Sequence, residues 1–204
     1  SEVRPEYEGL TAPIFVAADT LKAYQDLARF HRRRFAIPVV AVTGSVGKTS
    51  TRNMIATVLS EKYRVLQTEK NFNNEIGLPK TLLQLTPDHE ACVVEMGMRG
   101  LGQIAELAAI GEPTIGVVTN VGKSHIELLG SQENIAKAKA ELVQALDEKG
   151  TAVLNGDDPF VRPMTALCKG KTVLYGTDDQ AAVRADHIVC DQQGVRFHCS
   201  GAGQ

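Results

Sequence analysis

The chain has 204 residues, 43% of them hydrophobic and 23% charged, with a net charge of −2. That is the makeup of a globular protein able to bury a core, without the basic surplus that nucleic acid or an anionic membrane attracts. No apolar run approaches the roughly 18 residues of a membrane span, and no charged-then-apolar leader opens the chain.

Residues 1–13 carry mixed charges and two prolines without periodicity, and read as an arm or linker. Between Thr20 and Arg34, Leu21, Tyr24, Leu27 and Ala28 recur at helical spacing and predict a helix, with His31 joining them. It ends in "HRRRF", a basic end that suits the helix dipole and reads as solvated. Strands at 38–43, 63–68, 90–96, 114–120, 151–155 and 171–176 then alternate with helices at 48–61, 77–85, 101–110, 131–148 and 159–168, and a polar loop "EKNFNNE" follows the second strand. Continuous Val/Ile strands between helices predict an α/β fold: a mostly parallel sheet flanked by helices, built as a P-loop-type mononucleotide-binding domain. Alternating stretches near 183–189 and 194–199 predict a small β-hairpin at the C-terminal margin. Cys92, Cys168, Cys190 and Cys199 show no C-x-x-C spacing, and three sit in or beside apolar runs. They read as buried free thiols of a reducing cytoplasm.

In such sheets ligands bind beyond the carboxyl ends of the strands, so each end is read for chemistry. The first is "VVAVTGSVGKTSTRNMI". Gly44 and Gly47 let backbone N–H groups approach an anion at a helix start. Lys48 supplies a charge for terminal phosphates and Thr49 a hydroxyl for Mg²⁺. Val42 stands where the strict pattern needs a glycine, so the loop is a shortened G-x-x-G-K-T. In "VVEMGMRG", Glu95 ends an apolar strand, either as a surface carboxylate or as a magnesium or water ligand facing that loop; buried alone, it would need a cation partner. In "VVTNVGKSHIELLG", His125 is either structural or a member of the same rim. Mg²⁺ prefers oxygen, so a histidine there is a minority ligand or acts through water. In "AVLNGDDPF", Asn155, Asp157 and Asp158 precede Pro159; one aspartate suits a helix N-cap, and the set also suits a ribose or adenine edge.

Together these pieces resemble the ATP-binding central domain of the Mur ligases, the amide-forming enzymes of peptidoglycan assembly. "TGSVGKTST" looks like the family's phosphate loop, and "NFNNEIGLP", "VVEMGMRG", "SHIELLG", "NIAKAKAEL" and "LNGDDP" follow in the family's order over residues 35–180. "NFNNEIGLP" with "EMGMRG" is most similar to the member that adds D-alanyl-D-alanine to UDP-N-acetylmuramoyl-tripeptide. The resemblance implies an ATP-dependent ligase acting through an acyl phosphate, with ATP and Mg²⁺ as cofactors. It implies nucleotide contacts from Gly44, Ser45, Gly47, Lys48, Thr49 and Ser50, metal contacts from Thr49 and Glu95 to one Mg²⁺ and from His125 to a second metal ion, and substrate contacts from Asn73 and Asn74. Asn155 and Asp158 would lie near the adenosine, and Lys139 falls on the family's carbamylated lysine, so Lys48, Lys139 and His125 are its catalytic set.

Helical phase bears on that lysine independently. Ile135, Leu142 and Leu146 share one face of the 131–148 helix with Lys139, while Lys137 points away with Glu141 and Glu148. A lysine on a buried face either snorkels or is neutralised, and a neutral amine can add CO₂. Two departures stand out: Lys70 precedes "NFNN" where glycine is expected, and Lys123 crowds His125. The family has three domains and this chain has room for one. Residues 1–19 read as the tail of an amino-terminal UDP-binding domain and 20–204 as the central domain of a longer, monomeric, cytoplasmic enzyme. A P-loop switch module and a folylpolyglutamate-type ligase are the competing readings.

Overall fold

The structure, a computed structural model, describes Gly9, residues 11–192 and residues 194–201. Most of the arm expected before residue 11 lies outside the described residues. Strands β1 (Val39–Thr43), β2 (Val65–Gln67), β3 (Ala91–Glu95), β4 (Ile115–Val118), β5 (Thr151–Asn155), β6 (Lys171–Gly176), β7 (Val183–Asp191) and β8 (Gly194–Gly201) form one sheet. Its order is β2-β3-β1-β4-β5-β6-β7-β8, parallel throughout except for the β7–β8 hairpin. The expected parallel sheet with a marginal hairpin is the observed one.

Among the described residues, six α-helices accompany it: α1 (Thr20–Arg32), α2 (Lys48–Ser60), α3 (Gly77–Leu82), α4 (Gln103–Gly111), α5 (Ile126–Leu129) and α6 (Gln132–Ala145), with a 3-10 helix over Arg162–Leu167. Side chains alternate across a strand, so the fully buried β1 feeds two cores. Val39 and Ala41 join the larger one with Leu78, Ile104 and Leu142, while Val40 and Val42 pack with Ala56 of α2 and with Val93 and Val117. The chain leaves β1 for β2 and β3 on one side and comes back to β4 on the other. The carboxyl end of β1 is therefore the switch point where a crevice opens.

Several expectations need correction. Helix α6 ends at Ala145, because Leu146 is extended and Asp147 starts a turn that receives the Gly150 N–H. The helix expected over 159–168 is the shorter 3-10 turn, entered where Asp158 Oδ1 accepts the Phe160 and Val161 N–H groups. Helix α5, four residues long, is too short to show a period. The "HRRRF" run is solvated only in part: Arg33 and Arg34 are exposed, but Arg32 is buried and donates to the Gly111, Phe35 and Ile37 carbonyls, and Arg29 and Arg33 both grip Glu112. Leu21 and Leu27 are exposed, and Ala28 is the apolar α1 residue that reaches the core. Glu141 is not idle surface either; its carboxylate accepts the Gly102 and Ala105 N–H groups at 2.6 and 3.0 Å and caps α4, where a negative charge meets the positive helix end. All four cysteines are free, but only Cys92 is buried, with its thiol pushed up to about 12 by that burial. Cys168 is half-buried, and Cys190 and Cys199 are exposed because the hairpin carries little over either face.

Candidate active site

The β1–α2 turn has the geometry of an anion cradle. Gly47 sits in the left-handed region at φ 81° as the N-cap of α2, and a Cβ on Gly44, at φ 154°, would collide with the Thr119 hydroxyl. The N–H groups of Lys48, Thr49 and Ser50 open the helix, where no intrahelical acceptor exists, and the helix dipole adds to their pull on an anion. The turn is braced from the loop after β4. Asn120 accepts the Ser45 N–H on its carbonyl and the Val46 N–H on its side chain, each at 3.0 Å, and Thr119 Oγ1 donates to the Val46 carbonyl at 2.8 Å. Ser45 Oγ in turn accepts the Gly122 N–H. Lys48 Nζ rests on the carbonyls of Gly44 and Ser45 at 2.9 and 3.4 Å, folded back over the turn it would serve.

Glu95 is 2% exposed at the end of β3, so it is not a surface carboxylate. Oε2 accepts the Thr49 hydroxyl at 2.8 Å, Oε1 accepts Asn73 Nδ2 at 2.8 Å, and its own N–H donates to Thr68 Oγ1. The cation partner that burial demands is Arg52 of α2, 4% exposed, whose Nη1 is 3.7 Å from Oε2. Arg52 also donates to the Lys70 carbonyl at 2.9 Å. Lys70 itself holds φ 48°, the region that favours glycine, which explains why glycine is the expected residue there. Sequence reading missed Arg52; its signal was a cationic residue one turn beyond Lys48, on the face of α2 that turns toward β3.

The rest of the rim closes a cleft of about 550 Å³ whose lining includes Gly44, Lys48, Asn73, Asn74, His125 and Lys139. Asn73 is fixed twice, by the side-chain bond to Glu95 and by its carbonyl receiving the Gly97 N–H, while Asn74 Oδ1 holds the N–H of Gly77 at the start of α3. Lys139 is 2% exposed on α6, and Lys137 is exposed, as the helical phase predicts. Burial, with the Lys48 charge nearby, lowers the Lys139 amine to about 7. His125 is exposed at φ 65°, where it begins α5, and Lys123 beside it is exposed too. The Thr49 hydroxyl and the Glu95 carboxylate are hard oxygen donors of the kind Mg²⁺ prefers.

Asn155 and Asp158 do not line this cleft. Asn155 Nδ2 donates to the Thr119 carbonyl, and Asp158 accepts the Val121 N–H on one oxygen and caps the 3-10 turn with the other. They reach the phosphate loop only through the 119–122 segment, on the side away from Asn73. Asp157 turns outward to hold Thr177.

Residues 42–203 match the Mur ligase middle domain. The UDP-N-acetylmuramoyl-tripeptide–D-alanyl-D-alanine ligase of Synechocystis is 49% identical over 197 residues, covering 95% of this chain and 43% of that protein. Among solved structures, a MurF from Acinetobacter baumannii superposes with a TM-score of 0.88 at 29% identity, over 96% of this chain and 44% of that one. MurF from Thermotoga maritima in complex with ADP gives 0.85 at 29% identity, over 95% and 45%. The chain thus spans less than half the length of these relatives. With its phosphate loop, buried Glu95 and cleft lysine all on the matched segment, the chain belongs to the Mur ligase family through that family's middle domain.

Proposed function

We propose that this chain is the ATP-binding part of an enzyme that joins D-alanyl-D-alanine to UDP-N-acetylmuramoyl-tripeptide in cytoplasmic peptidoglycan precursor synthesis. The observation that carries the reading is the convergence of Lys48, Asn73 and buried Lys139 on one cleft at the carboxyl edge of the sheet, with the Thr49–Glu95 pair bonded to Asn73 behind it. In the reaction, an oxygen of the tripeptide carboxylate attacks the γ-phosphorus of ATP and ADP leaves; the dipeptide amine then attacks the acyl carbon, and phosphate leaves as the amide forms. Lys48 lifts from the Gly44 carbonyl onto the transferring phosphoryl oxygens, and the N–H groups opening α2 hold the others. Thr49 and Glu95 would hold one Mg²⁺, and His125 with Lys139 as a carbamate would hold a second, the carbamate adding oxygen donors. The metal neutralises charge on the phosphates when bound. Asn73 and Asn74 position the tripeptide end, and Asn155 and Asp158 shape the adenosine side by setting the 119–122 loop. Residues 20–204 form the central domain of a monomeric parent enzyme, with a UDP-binding domain before it and an amine-binding domain after it.

A P-loop switch leaves a buried lysine and the "NFNN" loop without a task, and a folate-type acceptor is disfavoured by 49% identity to a D-alanyl-D-alanine ligase. The test is a comparison of this chain with its full-length parent. Calorimetry should show Mg-ATP binding to the isolated chain, and chromatography should show product only from the parent supplied with tripeptide and D-alanyl-D-alanine. Losing both flanking domains removes the positioning that ligation needs. Product made by the isolated chain, or a parent inactive with these substrates and active on a folate, would overturn the proposal.

A further inference from the structure

Away from the cleft, separated from β1 by β4, β5 and β6, the C-terminal hairpin gathers Asp186, His187 and His198. Consecutive strand residues face opposite sides of a sheet, so Asp186 and His187 should point apart. They do not. The pairing register shifts between Asp186 and Val189, and His187 takes φ 50°. A bulge of this kind re-aims a side chain, and a histidine held left-handed is strained backbone. The result brings His187 Nδ1 within 2.7 Å of Asp186 Oδ1, while His198, directly across the ladder from Asp186, brings its own Nδ1 to 3.1 Å from the same oxygen. The two rings meet edge to face with centroids 6.4 Å apart.

We propose that Asp186, His187 and His198 are a binding site for a divalent transition-metal ion of the zinc class. Their candidate ligand atoms lie within 4.8 Å of one another. Donors at zinc-ligand bond lengths in a tetrahedron stand about 3.4 Å apart, so the two histidine–aspartate spacings of 2.7 and 3.1 Å need to open by about 0.7 and about 0.3 Å. Two imidazoles and one carboxylate form a set that zinc, cobalt and nickel accept and that magnesium does not favour. Metal entry is balanced in protons: each neutral ring moves its N–H from Nδ1 to Nε2 through solvent and offers the freed lone pair. Both rings face water, so the ion has a direct path in and keeps open positions for solvent. A bound ion ties β7 to β8 at the sheet's outer edge.

The test titrates the nucleotide-free chain with Zn²⁺ alone and with Co²⁺ alone, beside His187→Gly and Asp186→Asn. Glycine accepts the positive φ without strain, so His187→Gly loses a ligand while keeping the hairpin folded. One equivalent of Co²⁺ should bind with the visible d–d bands of nitrogen and oxygen ligation. Zn²⁺ should raise the thermal midpoint and shift the His187 and His198 imidazole resonances. Both variants should lose these responses with unchanged circular dichroism. Saturation retained in the variants, a thiolate charge-transfer band assigning the ion to Cys190 or Cys199, or no saturable binding by the wild type would each overturn the proposal.

Discussion

Arg52 and Glu95 are buried together, their charged groups 3.7 Å apart, one on the helix that the phosphate loop opens and the other at the tip of the neighbouring strand. Breaking a buried pair from one side leaves an uncompensated charge, which costs about 3–5 kcal/mol. Arg52→Met should therefore destabilise the chain by that order in urea unfolding. Adding Glu95→Gln should recover part of the loss, since it removes the stranded charge. Additive losses in the double variant would show that the two groups are not coupled.

Lys139 gives the chain a pH dependence of definite sign. Its amine ionises near 7 in the folded state against 10.5 in the ordinary case. Below about 7 both states are protonated and the folded state carries the full cost of the buried charge. Between about 7 and 10.5 the unfolded state holds the extra proton, so folding stability rises with pH. The stability of wild type relative to Lys139→Met should climb by a few kcal/mol across that window and level off above it. A difference that stays flat with pH would mean that Lys139 is charged where it lies.

A neutral amine in a polar cleft is also a site for CO₂. With ¹³C-bicarbonate, the parent enzyme should show one carbamate resonance that Lys139→Met removes and Lys137→Met leaves in place. Retention of the signal in Lys139→Met would assign the carbamate to another amine.

Among the described residues, Lys48 Nζ donates to two acceptors, both carbonyls of its own loop. Lys48→Ala should leave the thermal midpoint nearly unchanged while lowering kcat of the parent enzyme by about 10²–10³, the cost of losing a charge on a developing oxyanion. Near-normal turnover would mean that Lys48 does not meet the transferring phosphate.

The two loop glycines should respond differently to alanine. Gly47 has open space around its missing Cβ, so Gly47→Ala costs only the left-handed backbone, about 1–2 kcal/mol. Gly44→Ala adds a collision with Thr119 and should cost more; trimming the hydroxyl with Thr119→Ala should narrow the gap. Thermal midpoints of the variants check the order.

The sheet was legible because each strand is a short apolar run between helical periods, and the phosphate loop because its residue types have few other uses in sequence. Lys139 could be placed on a buried face from periodicity alone. Arg52 was hidden because a single charged residue on an amphipathic helix looks solvated until the neighbouring strand is known. For the same reason Arg32 and Glu141 looked like surface. Asn155 and Asp158 show a different limit. Their residue types suited a ligand edge, but their lone pairs and N–H groups are spent on backbone, a pairing that depends on where the β4 loop passes.

The bracing of the phosphate turn by residues 119–122 bears on how the family can diverge. Asn120 pairs with both the N–H and the carbonyl of Val46, and the Thr119 hydroxyl occupies the space that a Cβ at residue 44 would need. The two segments are more than 70 residues apart in the chain yet form one heritable unit, so a substitution in either is judged against the other. Grafting "TGSVGKTS" from this chain into a distant relative should fail by itself and succeed when "TNVG" travels with it.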